Sequence, residues 1–333
     1  MQQETETGSF DGTSQQPPIT NDGIDRRGFL SCMAWAGAGL VWTMVGGVPA
    51  SKLIAAPAGA LTDKAAGQSK GGFSFVQISD SHIGFNKAAN QDVTGTLKIA
   101  IDRINALPAE PELLLHTGDI SQSSKPAEFD TAAQIIKGVK AGETFYVPGE
   151  HDTAIDDGAL YHERFGHGTA GRGWYSFDHK SVHFIGLNNV LQIDAMGKLG
   201  QDQLSWLKSD LAGHSTSTPI VIFAHIPLWM VYPDWGWGTE DGAEALSYLK
   251  RFGSVTVLNG HIHQVVQKVE GNVAFHTAAS TAFPQPAPGK AAHSGPMMVP
   301  AGKLRSVLGI TKVKFVGKHS HLAIVDSPLS EMA

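Results

Sequence analysis

The chain is nearly free of cysteine: Cys32 is the only one in 333 residues. Everything downstream of it lacks a thiol, so no disulfide can staple that region and no metal there can be held by thiolate. Positive charge is scarce too. Lys and Arg number 25 against 31 Asp and Glu, for a net charge of −6, and no Lys/Arg-rich run occurs. That balance argues against a nucleic-acid binder that works by neutralising phosphates. No internal repeat is visible. What remains is ordinary for a globular protein, with 17% charged and 42% hydrophobic residues. The length suits one large domain or two modest ones.

The first 25 residues are polar and acidic. Arg26-Arg27-Gly28-Phe29-Leu30 follows, then a largely apolar run to Val48 broken by Gly37, Gly39, Gly46 and Gly47. Small-residue sites come next, at Val48-Pro49-Ala50 and Ala58-Gly59-Ala60. A basic pair, an apolar stretch and a small-residue cleavage site make an export signal. Paired arginines before Phe-Leu resemble the twin-arginine signal. Residues 1–60 are expected to be a leader read by the twin-arginine export machinery, and the mature protein to be periplasmic or extracellular. The alternative is an uncleaved membrane anchor, since the run is about long enough to span a bilayer. Residues 61–71 read as a linker.

From residue 73 the pattern turns regular. Buried strands are expected at 73–78, 113–116 and 144–147, with helices at 93–107 and 129–139 between them, which argues for parallel βαβ units. Paired strands follow at 174–177 and 182–187, a helix at 201–211, a strand at 220–224, a helix at 240–252 and a strand at 255–258. Hairpins are expected at 265–269 with 273–276, and at 312–315 with 321–325. Residues 281–308 hold several Pro and Gly without periodicity, so they read as a lid or a disordered loop. The folded domain is bounded at 72–326.

Chemistry collects where the expected strands stop. They run into Asp80-Ser81-His82, Gly118-Asp119, Gly149-Glu150-His151-Asp152, His225-Ile226-Pro227 and Gly260-His261-Ile262-His263. Open α/β sheets bind ligands at that edge. Asp80 and His82 are two apart, as are His261 and His263. In an extended segment such pairs point the same way. Gly118, Gly149 and Gly260 allow sharp turns and close backbone approach. Asp80, His82, Asp119, Glu150, His225, His261 and His263 form a mixed carboxylate and imidazole set too large for one ion. Two divalent ions about 3.5–4 Å apart would use them all, and such pairs serve in-line displacement at phosphorus.

This order of motifs resembles the calcineurin-like metallophosphoesterases, over about residues 73–280. The resemblance implies an α/β fold, a four-layer αββα sandwich of two mixed sheets flanked by helices. It implies a dinuclear centre of two divalent ions (Mn, Fe or Zn) with a bridging hydroxide as nucleophile and a small phosphorylated substrate, a phosphomonoester or phosphodiester. Asp80, His82 and His263 would hold the first ion, Glu150, His225 and His261 the second, and Asp119 would bridge. His151 would assist the leaving group, and Asp152 would orient His151. Thr117-Gly118-Asp119-Ile120-Ser121, with Pro126 opening the next helix, is similar to the branch that includes cyclic-nucleotide phosphodiesterases. Ser121 follows where purple relatives carry a tyrosine.

One residue departs from the motif. The family has Asn where this chain has Glu150, and an ionised Glu cannot donate a hydrogen bond. Glu150 could ligate, could be protonated and donate, or could spoil the second site. The last case would leave a weakly active or non-catalytic protein that binds phosphorylated ligands. Trp229, Tyr232, Trp235 and Trp237 lie in a loop after His225. They either stack on a base or sugar of the substrate or merely pack the loop down. His116 reads as a core or supporting residue. The remaining histidines, among them His179, His183, His214 and His276, read as structural or solvated.

Overall fold

The computed structural model describes residues 40–45, 48–53, 72–190, 196–316 and 321–330. The chain divides into two compact units, Met1–Gly67 and Gln68–Ala333. In the first, β1 (Leu40–Val45) pairs antiparallel with β2 (Val48–Leu53). The arginine pair, the rest of the expected leader and the 61–71 linker lie outside the described residues. Among the described residues no helix is long and apolar enough to cross a membrane.

The second unit opens with β3 (Phe73–Ile78), β4 (Leu113–His116) and β5 (Glu143–Tyr146), paired parallel. Helix α1 (Val93–Asn105) links the first two. It starts where the Asp92 carboxylate accepts from the Gly95 N–H at 2.8 Å, an N-cap that satisfies one orphan donor of the first turn. Leu97, Ala100, Ile101 and Ile104 recur at helical spacing and are buried. Helix α2 (Pro126–Ile136) begins at a proline, whose fixed φ suits a first turn, and buries Phe129, Ala132 and Ile136. A short α3 (Ala159–Phe165), which the sequence pattern did not suggest, buries Tyr161 and Phe165.

The second sheet takes β6 (Tyr175–His179), β7 (Val182–Gly186), β8 (Ile220–Phe223), β9 (Val255–Asn259), β10 (Gln267–Glu270) and β11 (Val273–Thr277) in the order β10-β11-β9-β8-β7-β6. Helices α4 (Gln201–Ala212) and α5 (Gly242–Leu249) cover it. After α6 (Leu304–Val307), β12 (Gly309–Val316) and β13 (His321–Pro328) return to the first sheet, whose order is β13-β12-β3-β4-β5. Both sheets are mixed, since β12 runs antiparallel to β3 and β6 antiparallel to β7.

Alternation along the strands makes the layers. Phe75, Leu115, Phe184, Val221, Phe223 and Val313 fill the space between the sheets. Val76, Ile78 and Leu114 face α1, α2 and α3. Ile185, Ile222 and Val257 face α4 and α5. A period of two with both faces covered yields the expected αββα sandwich. Each large side chain buried this way contributes about 1.5–3 kcal/mol. Since β3, β4 and β5 run parallel, as do β7, β8 and β9, each sheet gathers its polar strand ends at one edge.

Candidate metal centre

Ligand pairs two residues apart were expected in extended backbone, and here the structure differs. Strand β3 stops at Ile78 and β9 at Asn259. Asp80, His82, Asp119, His261 and His263 all have positive φ, between 42° and 68°. These five are most of the eight non-glycine residues with such backbone among the described residues. Left-handed backbone at Asp and His persists only when the surroundings over-determine it, and it concentrates at functional sites. Tight turns, not strand extension, bring each pair to one point. At Gly118, φ is +92° and an added Cβ would lie 2.6 Å from the His225 ring, so the turn into Asp119 needs glycine.

The donors form two triads. In the first, His82 Nε2 lies 3.1 Å from His263 Nε2, and His263 Nε2 lies 3.3 Å from Asp80 Oδ1. In the second, Glu150 Oε2 lies 2.9 Å from His225 Nε2 and Glu150 Oε1 lies 2.9 Å from His261 Nδ1. Asp119 stands between them, its Oδ2 at 3.5 Å from His82 Nε2 and 3.4 Å from His225 Nε2. All seven expected ligands therefore converge. Asp80, His82, Asp119, His225 and His263 are almost wholly buried.

The environment of the rings tests whether a cation fits. His225 Nδ1 donates to the Thr117 carbonyl at 2.7 Å, and His263 Nδ1 to the Phe283 carbonyl at 2.6 Å. That leaves the Nε2 of each ring on the side of the carboxylates, at Glu150 and Asp119 for His225 and at Asp80 for His263. Glu150 Oε2, His225 Nε2 and both His261 nitrogens have no properly aligned hydrogen-bond partner. Burial brings His82 down to about 3, so it stays neutral. Burial works against charge on Asp80 and Glu150 as well, but His263 beside the former and His261 and His225 beside the latter hold both carboxyls below their usual range. His225 is opposed by burial yet raised well above 6.5 by Asp119 and Glu150. Buried carboxylates facing imidazole nitrogens are a cation's environment. The residues fit divalent ions.

His151 sits at the rim. Its Nδ1 donates to the Gln122 carbonyl at 2.7 Å, and its ring meets that of His82 edge-on at 4.8 Å. Its backbone N–H donates to Asp119 Oδ1 at 2.9 Å, leaving Oδ2 to face both triads. Asp152 does not orient His151, contrary to expectation. Its carboxylate accepts from the N–H groups of Ile120, Ser121 and Gly149 at 2.8–3.0 Å and from Ser121 Oγ at 2.9 Å. Asp152 thereby ties the 3₁₀ turn Glu150–Asp152 to the end of the Asp119 turn, and Gln122 is the orienter. Burial, reinforced by Asp119, pushes the Asp152 carboxyl up to about 6.

Two other expectations are corrected. Of the expected loop 281–308, residues 281–286 are buried against the site, whereas 287–307 are largely exposed. Phe283 lays its ring 4.8 Å from His82 and 4.7 Å from His263, and Gln285 donates to the His261 carbonyl at 2.9 Å. In the aromatic loop, Trp229 packs on Phe275 at 4.7 Å, and Trp237 is 1% exposed. Both pack the loop down and offer a substrate no face. Tyr232 and Trp235 are half-buried. Gln122, Phe283 and Ser280, whose Oγ donates to the Asp80 carbonyl at 2.8 Å, support the site without having stood out in the sequence. His116 is buried with its Nε2 2.8 Å from Ser81 Oγ, a supporting position as expected.

Known proteins resemble this chain in sequence and fold. The sequence profile described as calcineurin-like phosphoesterase matches residues 73–265. The 3',5'-cyclic-nucleotide phosphodiesterase alr5338 of Nostoc sp. is 27% identical over 216 residues, 63% of this chain and 79% of that protein. A probable glycerophosphodiester phosphodiesterase, GpdQ of Arcobacter nitrofigilis, is 27% identical over 225 residues, 62% of this chain and 77% of that protein. A dimetal phosphatase from Danio rerio shares the fold at a TM-score of 0.59 and 13% identity, covering 78% of this chain and 97% of that one. The chain belongs to the calcineurin-like phosphoesterase family and is a phosphoric ester hydrolase.

Proposed function

We propose that the protein hydrolyses a phosphodiester at a centre of two divalent cations. The observation that carries this reading is the position of Asp119 Oδ2, 3.5 Å from the first triad's His82 and 3.4 Å from the second triad's His225. One carboxylate oxygen placed between two complete triads suits two ions sharing it. Asp80, His82 and His263 would hold one, Glu150, His225 and His261 the other. Nitrogen and carboxylate donors without thiolate suit Mn, Fe or Zn. Such a pair, when bound, supplies Lewis acidity toward phosphoryl oxygens and a nucleophile at neutral pH.

The chain's own groups do the rest. The Gln122 carbonyl fixes the His151 tautomer and turns Nε2 outward. Burial lowers the affinity of His151 for a proton and Asp119 and Glu150 raise it, and Nε2 is the atom that would pass a proton to the departing oxygen. Phe283, buried against the rings of His82 and His263, keeps water from those ligands.

Glu150 bears on the ester. Asp80, Asp119 and Glu150 set three negative charges against four positive charges of two divalent ions, where an Asn would leave two. Among the described residues, no lysine or arginine forms an ion pair with any of the seven ligands. A site of low positive charge favours a monoanionic diester over a dianionic monoester. The two phosphodiesterase relatives agree with this choice. Tyr232 and Trp235, the half-buried aromatics of the loop, are the ones left to stack on the ester's organic group.

Glu150 reaches both imidazoles of its triad, which is the posture of a ligand and not of a lesion. The test is the relative kcat/KM for bis(p-nitrophenyl) phosphate and p-nitrophenyl phosphate, in wild type and in Glu150→Asn. The diester should lead in wild type, and the variant should shift the ratio toward the monoester. A wild-type preference for the monoester would overturn the diester assignment. We also propose export by the twin-arginine route, on the strength of Arg26-Arg27 and the apolar run. Cell fractionation with and without Arg26→Lys/Arg27→Lys tests it, and a chain that stays cytoplasmic in both would refute it.

A further inference from the structure

A second group of ligand-type side chains lies at the far end of the second sheet from the centre just described. His183 pairs across the sheet with Ile220, where β8 begins, whereas His225 follows the end of β8. His183 stands on the helix-facing side of β7, where its neighbour Ile185 belongs to the apolar core, and it is 3% exposed. A fully enclosed imidazole there needs partners for both nitrogens. Nε2 lies 2.8 Å from Asp210 Oδ2 on α4, and Asp210 Oδ1 in turn accepts from Ser176 Oγ at 2.6 Å. Nδ1 lies 2.8 Å from Asp178 Oδ1, the residue directly opposite on β6. His214, in the turn after α4, lays its ring on that of His183 with centroids 3.7 Å apart. Arg251 holds that turn by donating to the Leu211 and His214 carbonyls.

We propose that Asp178, His183 and His214 form a separate binding site for a borderline divalent cation such as Zn²⁺. One ligand atom from each lies within 4.8 Å of the others. Tetrahedral zinc with bonds of about 2.0–2.2 Å requires ligand atoms somewhat over 3 Å apart, so binding would draw the three together and turn the His214 ring off the face of His183. The ion would take the place of the proton between His183 Nδ1 and Asp178. His183 Nε2–H would go on donating to Asp210, the carboxylate–imidazole–metal relay that fixes ring orientation and strengthens the ligand. Two imidazoles and one carboxylate select zinc-like ions over calcium or magnesium. Asp178 has a side chain 65% exposed, which gives the ion a route in and room for water as fourth ligand. The consequence is mechanical. The ion would clamp the edge strand β6 and its hairpin partner β7 to the turn that ends α4.

The test is zinc per chain after equilibrium dialysis at micromolar free zinc, for wild type, Asp178→Asn and His214→Ala. Each variant should bind one zinc fewer than wild type. This difference does not depend on how many ions the strand-end centre takes, so the site stands or falls apart from the proposed function. Equal zinc content in all three would overturn it. Wild-type crystals soaked in zinc give a check that needs no variant. An anomalous peak bonded to Asp178, His183 Nδ1 and His214 is expected, and its absence with zinc present at the strand-end centre would refute the site.

Discussion

Glu150 brings a full negative charge to a position where a neutral amide oxygen would also ligate. Both its oxygens face imidazole nitrogens at 2.9 Å. Removing that charge should weaken the second cation's hold by at least about 10-fold, since even indirect partners of metal ligands are worth about 10–100-fold. Metal retained by Glu150→Asn after dialysis against a weak chelator checks this, and unchanged retention would contradict it. His151→Ala should lower kcat by about 10²–10⁴-fold. The loss should be largest for esters with poor leaving groups, because a good leaving group departs without a proton. A loss independent of the leaving group would remove His151 from that role. His183 supplies a pH prediction in metal-free protein. Burial opposes its charge, but Asp210 and Asp178 raise it above 6.5. Asp210 is raised by burial but brought below 3.8 by His183 and Ser176. The His183 contribution to stability is complete below pH 6.5 and fades as pH rises through its raised value. The Asp210 contribution is complete above pH 3.8 and is lost as pH falls through its lowered value. His183→Gln should therefore lose more stability, relative to wild type, at pH 5 than at pH 9 in urea melts. Equal losses at the two pH values would contradict the ion pair.

Elements decide what those residues can reach. The turn Glu150–Asp152 is short, yet it serves three purposes: Glu150 faces the second triad, His151 the rim, and Asp152 binds back to the N–H groups of Ile120 and Ser121. Motif order in the sequence placed Glu150 among the site's carboxylates and imidazoles. It left the Asp152 role illegible, because adjacency in the chain suggests contact with His151 while a turn of this kind points consecutive side chains apart. The same blindness affected residues 281–286. With prolines at 284 and 286 they show no period, and only the packed structure reveals Phe283 against His82 and His263. Composition likewise did not separate the four aromatics of the loop after β8. Trp229→Ala should cost about 3–5 kcal/mol of stability, as a large side chain lost from a core does. Trp235→Ala should cost about 1 kcal/mol or less while raising KM for esters with aromatic groups. Denaturant melts and KM values for the pair separate packing from substrate contact; a KM unchanged in Trp235→Ala would rule out stacking there.

At the scale of the molecule, two sheets with buried faces collect their polar residues at the strand ends. Strand and helix periodicity in 73–147 was strong enough to read, since β3, β4, α1 and α2 bury regular faces. Layering of one sheet on the other was not in that periodicity; it came from the likeness of the motifs to a known family. The bond between distant turns, such as the Gln77 side chain donating to Thr117 Oγ1 and to the Asn259 carbonyl, joins segments 182 residues apart and has no local signature. Strained backbone at Asp80, His82, Asp119, His261 and His263 is sustained by these long-range contacts. The central claim is that the two triads hold two ions which act as a unit. Manganese content measured beside diester turnover on the same preparations tests it most directly, in wild type, His263→Ala and His225→Ala. About two manganese per chain in wild type, with turnover nearly abolished by loss of either triad's histidine, is the predicted result. One manganese or none in wild type that still hydrolyses the diester would contradict it.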